Sequence, residues 1–260
     1  MSGALAGRGA VVTGGGRGIG AAVAAALAEA GAVVMVVARS PDEIERVAAE
    51  LRERGARATA LPCDVTQEAE VRRLGERACA DLGAVDILVN CAGAGASAPL
   101  RRITLEDWNR MLAVNATSAF LCTREFLPAM VARGWGRIVN LASRAGVEGA
   151  RYVAHYSAAK HALVGLTRSV ALEVEGSGVT VNALCPGYVD TPMTAETIAN
   201  VQTRTGKSHE QAVAAVLATT GQSRMLSAAE VAAAVVALCG PDAAGTNGAA
   251  ILLPPGEPAS

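Results

Sequence analysis

The chain has 260 residues, of which 51% are hydrophobic, 18% charged and 3% aromatic. Such a chain is long and apolar enough to bury a sizeable core, so it is not intrinsically disordered. The 23 Lys and Arg residues are balanced by 24 Asp and Glu, which leaves a formal net charge of -1. Without a basic field or many aromatic rings, the composition excludes a nucleic-acid-binding protein.

Six cysteines are spread along the chain without a Cys-x-x-Cys pair, and only three histidines accompany them. This spacing predicts no metal site, although a site assembled from distant residues stays an open alternative. Isolated thiols are typical of small buried apolar residues in a reducing compartment. No secretory segment opens the sequence, and Glu29 and Gly31 interrupt the apolar run 21–38. We therefore expect a cytoplasmic protein without a membrane span.

Short apolar runs alternate with longer amphipathic segments along the chain. The runs predict strands at residues 10–13, 33–38, 58–63, 86–90, 137–143, 179–185 and 249–253, the last ending before Pro254, which lacks an N–H. The segments between them predict helices near residues 19–30, 42–54, 67–82, 105–133, 152–175 and 228–239. We expect an α/β fold in which residues 1–260 form one Rossmann-like, doubly wound domain. Its parallel sheet would have about seven strands, flanked by helices on both faces.

The first predicted strand leads into Thr13-Gly-Gly-Gly-Arg-Gly-Ile-Gly20. Glycine lets the backbone approach a pyrophosphate closely, and the N-terminus of the following helix supplies free N–H groups. The G-x-x-x-G-x-G spacing differs from the general G-x-G-x-x-G fingerprint. We place a dinucleotide phosphate site here, made by Gly14, Arg17, Gly18, Ile19 and Gly20. The alternative is a glycine-rich turn that only packs the helix on the strand.

A dinucleotide site has its ribose-binding residue at the end of the second strand. The sequence there is Val37-Ala-Arg-Ser40, with no acidic residue to bind a ribose 2′-hydroxyl. Arg39, together with Arg17, instead suits a 2′-phosphate, because a guanidinium donates to phosphate oxygens in a fork. The sequence therefore favours NADP(H), with NAD(H) as the alternative if both arginines are ordinary solvated residues.

Tyr156 and Lys160 are four residues apart in a predicted helix, so both side chains lie on one helical face. We expect the ammonium to lower the pKa of the phenol and make it an acid or base near neutral pH. Ser143 lies thirteen residues before Tyr156 and is predicted to end the preceding strand. There it would lie at the edge of the sheet where open α/β folds bind ligands.

Taken together, these motifs resemble the short-chain dehydrogenase/reductase family. The motifs occur in family order over nearly the whole chain: Thr13–Gly20, Asp64-Val65, Asn90-Cys-Ala-Gly93, Asn115, Ser143, Tyr156, Lys160, Asn182-Ala-Leu-Cys-Pro-Gly187 and Thr191. The resemblance implies an oxidoreductase that interconverts a ketone and a secondary alcohol by hydride transfer.

The resemblance also implies a role for each catalytic residue. Tyr156 would exchange a proton with the carbonyl or hydroxyl oxygen, and Ser143 would donate a hydrogen bond to that oxygen. Lys160 would bind the nicotinamide ribose, and Asn115 would hold a water that links Lys160 to solvent.

The cofactor would be bound along the same edge of the sheet. Asp64 and Val65 would contact the adenine, and Asn90 would order the loop of Ala92 and Gly93 around the cofactor. The nicotinamide end would contact the remaining residues implied by the family pattern, which are Pro186, Gly187, Val189, Thr191, Tyr156 and Lys160.

Residues 191–226 correspond to the family's mobile flap over the substrate, and we call them the flap. Cations in or near the active site could meet the phosphates of coenzyme A or of a carrier protein's phosphopantetheine arm: Arg144, Arg151, Arg204, Lys207 and His209. They are equally typical of a solvated surface. His155, beside Tyr156, is expected to be structural.

Overall similarity favours the family's 3-oxoacyl-thioester reductases and 3-hydroxyacyl-CoA dehydrogenases. The alternative substrate is a non-thioester secondary alcohol such as a steroid, polyol, sugar or aromatic alcohol. A second alternative, a dinucleotide-sensing module without turnover, is disfavoured because Ser143, Tyr156 and Lys160 are all present.

Two stretches depart from the family pattern. Cys91 stands where the family often has asparagine, and the last strand runs into Pro254-Pro-Gly-Glu257 rather than the common Asp-Gly-Gly. The C-terminal region contributes to tetramer contacts in relatives, so this departure questions the usual tetramer geometry. We expect a homotetramer or a homodimer.

Overall fold

The computed structural model describes residues 3–253, which fold around one seven-stranded, fully parallel sheet. The strand order is β3-β2-β1-β4-β5-β6-β7, so the direction of winding reverses between β1 and β4. The strands are β1 (Gly9–Thr13), β2 (Val33–Ala38), β3 (Ala58–Pro62), β4 (Ile87–Asn90), β5 (Gly136–Leu141), β6 (Val179–Cys185) and β7 (Ala250–Leu252). The predicted α/β, doubly wound, Rossmann-like domain is confirmed. The stretch from Pro254, discussed above, lies outside the described residues.

Helices cover both faces of the sheet. In chain order they are α1 (Gly18–Glu29), α2 (Pro41–Glu53), α3 (Glu68–Leu82), α4 (Leu105–Leu112), α5 (Ser118–Ala132), α6 (Ala154–Glu173), α7 (Pro192–Thr205), α8 (His209–Ala218) and α9 (Ala228–Cys239). α1, α2 and α9 pack on one face, whereas α3, α5 and α6 pack on the other. α7 and α8 form a separate small apolar cluster.

Alternate residues of the central strands enter the two cores, which explains the continuous apolar runs in the sequence. In β2, Val34 and Val36 pack with α1 and α9, while Met35 and Val37 face the opposite core. All four side chains are fully buried. A strand covered on both faces needs apolar residues at every position, because successive side chains point to opposite sides.

Three predicted element boundaries are wrong. The segment 105–133, expected to be one helix, is α4 and α5 joined by a π-helical turn at Ala113–Thr117. β5 ends at Leu141, so Ser143 lies beyond the strand and caps a 3₁₀ turn at Arg144–Gly146. α6 begins at Ala154, two residues later than expected, because Tyr152 has a φ of 65°, outside the helical region.

The cysteine interpretation holds for most of the thiols. Cys63, Cys122, Cys185 and Cys239 are buried, and only Cys79 is exposed. Within residues 3–253 no cluster of His, Cys, Asp and Glu has the arrangement of a metal site. Within the same residues, no helix combines the length and apolarity that crossing a membrane requires.

Candidate active site

The candidate site lies along the carboxyl edge of the sheet, where β1 and β4 mark the reversal of strand order. Open α/β sheets bind ligands in the crevice at this point because the flanking loops diverge there. Most of the predicted site residues lie in the loops that follow β1 to β6. Gly18, Ile19 and Gly20 instead open α1, and Asn90 ends β4. Asn115 lies in the π-helical turn, and Tyr156 and Lys160 lie on α6.

The glycine loop after β1 has the geometry of a phosphate cradle. Gly14 and Gly18 have positive φ angles of 65° and 55°. Arg17, at the N-cap of α1, makes no side-chain cap, and the first turn contains no acidic residue. The N–H groups of that turn therefore lack a side-chain acceptor and suit an anion.

Gly20 brings α1 close to the loop. A Cβ at Gly20 would lie 2.1 Å from the carbonyl oxygen of Gly14, and one at Gly14 would lie 2.8 Å from Cα of Ala92. The amide of Ala92 in turn donates to Oγ1 of Thr13 over 3.2 Å. The loops after β1 and β4 are thus packed backbone against backbone at the reversal point.

Replacing Gly20 with alanine is expected to displace this loop. We expect the free energy of unfolding to fall by about 1–3 kcal/mol, the usual cost of overpacking, and NADPH binding to weaken on the order of tenfold. Chemical denaturation and fluorescence titration measure the two effects. In Gly245→Ala the added Cβ meets no atom within 4 Å, so this control should match the wild type. Wild-type binding by Gly20→Ala would contradict the close packing.

At the end of β2, Arg39 is exposed and forms no ion pair within residues 3–253. Arg17 is also exposed but lies 3.8 Å from the carboxylate of Glu43. After β3, Oδ1 of Asp64 accepts from the backbone and side chain of Thr66, and Val65 is buried. Arg39 is therefore the guanidinium more available to a 2′-phosphate.

Asn90 ends β4 and fixes this strand to β5. Its Nδ2 donates to Oδ1 of Asn140 over 2.8 Å, and Nδ2 of Asn140 donates to Oγ1 of Thr167 over 2.9 Å. This buried polar network ties β4 and β5 to α6 at the edge of the sheet. Oδ1 of Asn90 is buried without a hydrogen-bond partner among the described residues.

The π-helical turn directs Asn115 inward. Its Oδ1 accepts from the amide of Ala94 over 3.2 Å, and its Nδ2 donates to the carbonyl of Ala94 over 2.9 Å. A Cβ at Gly93 would lie 2.8 Å from Oδ1 of Asn115 and 3.6 Å from Nζ of Lys160. The structure thus brings Gly93, Asn115 and Lys160 together.

Lys160 is buried without a carboxylate partner. Its Nζ donates to the carbonyl of Leu141 over 2.6 Å and lies 5.9 Å from the ring centroid of Tyr156. Burial lowers the pKa of Lys160 to about 8, so the side chain still carries its charge near neutral pH. No carboxylate is among the groups that shift its pKa.

The expected lowering of the Tyr156 pKa by Lys160 is not found. Burial raises the pKa of Tyr156, and a side-chain hydrogen bond with Ser143 lowers it in part. Lys160 is not among the groups that shift the pKa of Tyr156, and burial of the phenol is the largest cause of the shift. The structure does place Ser143, Tyr156 and Lys160 in one group.

The loop after β6 closes the group on the other side. The amide of Arg144 donates to the carbonyl of Pro186 over 2.9 Å. Val189 pairs with Leu226 in an isolated parallel bridge, and Thr191 caps α7 through Oγ1. A Cβ at Gly18 would lie 3.5 Å from Thr191, so this loop meets the glycine loop of β1.

One of the predicted cations is not available to a ligand's phosphate. The side chain of Arg144 pairs with Glu148 at 2.8 Å and donates to the carbonyl of Thr220 over 2.8 Å. The other four are exposed: Arg151, Arg204, Lys207 and His209. His155 is buried, as expected.

Two residues near the site were missed in the sequence. Gln222, within the flap, is buried against the loop after β6, and Tyr188 lies near enough to Tyr156 to raise its pKa. A glutamine in a loop and a tyrosine after a glycine carry no periodicity or spacing that could identify them.

The chain is similar to known proteins over most of its length. The short chain dehydrogenase family model matches residues 8–202. D-beta-hydroxybutyrate dehydrogenase of Rhizobium meliloti is 39% identical over 244 residues, covering 92% of this chain and 94% of the relative. A 3-oxoacyl-[acyl-carrier-protein] reductase of Synechocystis is 41% identical, covering 74% of this chain and 78% of the relative.

A variant of actinorhodin polyketide ketoreductase, solved with NADPH, has a TM-score of 0.91 at 36% identity and covers 98% of both chains. A Beutenbergia cavernae protein solved with bound NADP has a TM-score of 0.86 at 40% identity and covers 95% of both chains. The chain therefore belongs to the short-chain dehydrogenase/reductase family of oxidoreductases.

Proposed function

We propose that the protein is an NADP(H)-dependent oxidoreductase that interconverts a 3-oxoacyl thioester and the 3-hydroxyacyl thioester. The observation that carries the proposal is the grouping of Ser143, Tyr156 and Lys160 at one edge of the sheet, where the Ser143 side chain partly lowers the pKa of Tyr156 and a buried ammonium lies beside the ring. A hydroxyl pair and an uncompensated cation suit a carbonyl oxygen that gains negative charge.

The cofactor fits the residues that line this edge. The glycine loop of Gly14, Gly18, Ile19 and Gly20 would hold the pyrophosphate, and Arg39 with Arg17 would hold the 2′-phosphate. Asp64 and Val65 would contact the adenine. Residues at the carboxyl ends of β4 and β6 would enclose the nicotinamide riboside: Asn90, Ala92, Gly93, Pro186, Gly187, Val189 and Thr191. The relatives solved with NADPH and NADP support this preference, and NAD(H) is the alternative.

The bound nicotinamide supplies or accepts the hydride. In the reduction, Tyr156 donates its phenolic proton to the carbonyl oxygen while Ser143 donates a hydrogen bond to it. The raised pKa of Tyr156 keeps the phenol protonated at neutral pH, which is the form that a reductase needs. Lys160 would bind the ribose and stabilise the phenolate that results, and Asn115 would hold a water that resupplies the proton.

We propose a thioester substrate because ketoacyl reductases are among the relatives and exposed cations are present near the site. Arg151 follows the Ser143 loop and is not in an ion pair within residues 3–253. The flap, which contains α7 and α8 within the single domain, would cover the acyl chain. Arg204, Lys207 and His209, all exposed, would be available to phosphates as the substrate's carrier approaches.

A non-thioester secondary alcohol is the second candidate, favoured by the relative that is a D-beta-hydroxybutyrate dehydrogenase. Comparing kcat/KM for acetoacetyl-CoA and acetoacetate, each with NADPH, separates the two. We expect acetoacetyl-CoA to be preferred by about a hundredfold, since remote phosphate contacts contribute to transition-state binding. Preference for acetoacetate would support the hydroxy-acid alternative and contradict the thioester assignment.

We also propose a homotetramer or homodimer. Leu105, Phe120 and Leu172, on α4, α5 and α6, are large apolar side chains exposed to solvent, and large apolar residues on neighbouring helices are typical of an interface between subunits. Light scattering would measure the mass of the assembly, and a monomer would contradict the proposal. Cytoplasmic location stays a prediction from the sequence.

A further inference from the structure

The side chain of Gln222, together with the Val189–Leu226 bridge, holds the segment between α8 and α9 to the loop after β6. Gln222, 8% exposed, accepts at Oε1 from the amide of Tyr188 over 2.7 Å and from Oγ1 of Thr220 over 2.7 Å. Its Nε2 donates to the carbonyls of Tyr188 over 3.0 Å and Arg224 over 3.2 Å. A single amide thus binds both backbone groups of Tyr188, whose carbonyl also accepts from the amide of Leu226 over 3.0 Å.

The fit around Gln222 is tight, and a second contact reinforces it. A Cβ at Gly187 would lie 2.2 Å from Oε1 of Gln222, so the glycine leaves space for the amide. Arg144, next to Ser143, donates to the carbonyl of Thr220. The base of the flap is therefore fixed to both loops that flank Tyr156.

The side chain of Tyr188 connects these loops to the flap helices. It packs against the apolar cluster of Ile198, Ala212 and Val216. It also lies close enough to Tyr156 to contribute to the pKa of that residue. Tyr188 is thus positioned between the flap and the acid/base group.

We propose that Gln222 is a positioning residue for hydride transfer: by binding both backbone groups of Tyr188, it fixes the Tyr188 side chain near Tyr156. The inference rests on the proposed function, since it assigns Tyr156 to proton transfer. A glutamine that only stabilised the loop would also affect activity when replaced, but that effect would not depend on the side chain of Tyr188.

The test begins with Gln222→Met, which removes all four hydrogen bonds at similar volume. We expect kcat/KM for the ketone to fall about tenfold or more, because the amide of Tyr188 loses its acceptor and the loop that carries Tyr188 is held less firmly. The KM for NADPH should change far less, since most cofactor contacts lie on other loops. Gln202→Met is the matched control: Gln202 lies on α7 in the same flap, and its side chain has no hydrogen bond within residues 3–253. We expect it to match the wild type.

A double-mutant cycle separates positioning from simple loop stability. If Gln222 acts through Tyr188, Gln222→Met should cause almost no further loss of kcat/KM in a Tyr188→Ala background. Equal losses in the two backgrounds would overturn the proposal. So would wild-type kcat/KM in Gln222→Met.

Hydrogen exchange gives a readout that does not need turnover. Exchange at the amide of Tyr188 should accelerate in Gln222→Met, since its acceptor is gone, while the amides of β1 should keep their wild-type protection. Unchanged exchange at Tyr188 would overturn the inference even in an active enzyme. A wild type that reduces no ketone would instead overturn the proposed function, and the catalytic role of Gln222 with it.

Discussion

Replacing Tyr156 with phenylalanine is expected to lower kcat for ketone reduction by about 10²–10⁴-fold, the range that general acid catalysis contributes. The change removes the proton donor, but leaves the ring that lies beside Lys160. NADPH binding, measured by fluorescence titration, should stay close to that of the wild type because the glycine loop and Arg39 are untouched. The rate of NADPH oxidation measures the loss.

Tyr152→Phe is the matched control for this experiment. Tyr152 is 63% exposed and lies four residues before Tyr156, so loss of its hydroxyl should leave kcat unchanged. Near-normal turnover by Tyr156→Phe with a good substrate would mean that another group supplies the proton, and the mechanism proposed here would be wrong.

Replacing Arg39 with aspartate should reverse the cofactor preference. We expect the Kd for NADPH to rise about a hundredfold, because a charge-assisted fork to the 2′-phosphate is replaced by like-charge repulsion. The Kd for NADH should be unchanged or lower, since a carboxylate at the end of β2 can accept from a ribose 2′-hydroxyl. Titration with each cofactor measures both constants.

Arg57→Asp is the matched control. It makes the same change of charge at the amino ends of the strands, just before β3 begins. It should leave both dissociation constants near those of the wild type. Equal losses of NADPH and NADH affinity in Arg39→Asp would show that Arg39 does not read the 2′-phosphate.

The main architecture could be predicted because burial on both faces leaves a clear pattern. β2 is apolar at every position and ends at Ala38, as the sequence indicates. Thr104 and Asp107 form a capping box at the start of α4, a pairing that a hydroxyl and a carboxylate three residues apart favour. These features depend on local chemistry, which a sequence carries directly.

The π-helical turn could not be predicted from the same patterns. A turn of this kind inserts one residue into a continuous helix, so the apolar periodicity on either side of Asn115 looks uninterrupted. The turn is nevertheless what directs Asn115 toward Ala94. The residue was identified through the family pattern, and its geometry required the structure.

The direction in which the pKa of Tyr156 shifts also depends on tertiary structure. The spacing of Tyr156 and Lys160 indicates that they share a helix face, but not how deeply each is buried. Burial acts on both groups and opposes their charged forms, so the phenol is more weakly acidic than its neighbour suggests. Gln222 was missed for a related reason: two of its four side-chain hydrogen bonds are with Tyr188, in a loop 34 residues earlier in the chain.

The initial rate of NADPH oxidation on addition of acetoacetyl-CoA tests the central claim most directly. We predict rapid oxidation with one 3-hydroxyacyl thioester formed per NADPH consumed, and loss of that rate in Tyr156→Phe. Protein that binds NADPH but transfers no hydride to acetoacetyl-CoA, acetoacetate or other ketones would contradict the claim. It would point instead to a module that binds the dinucleotide without turnover.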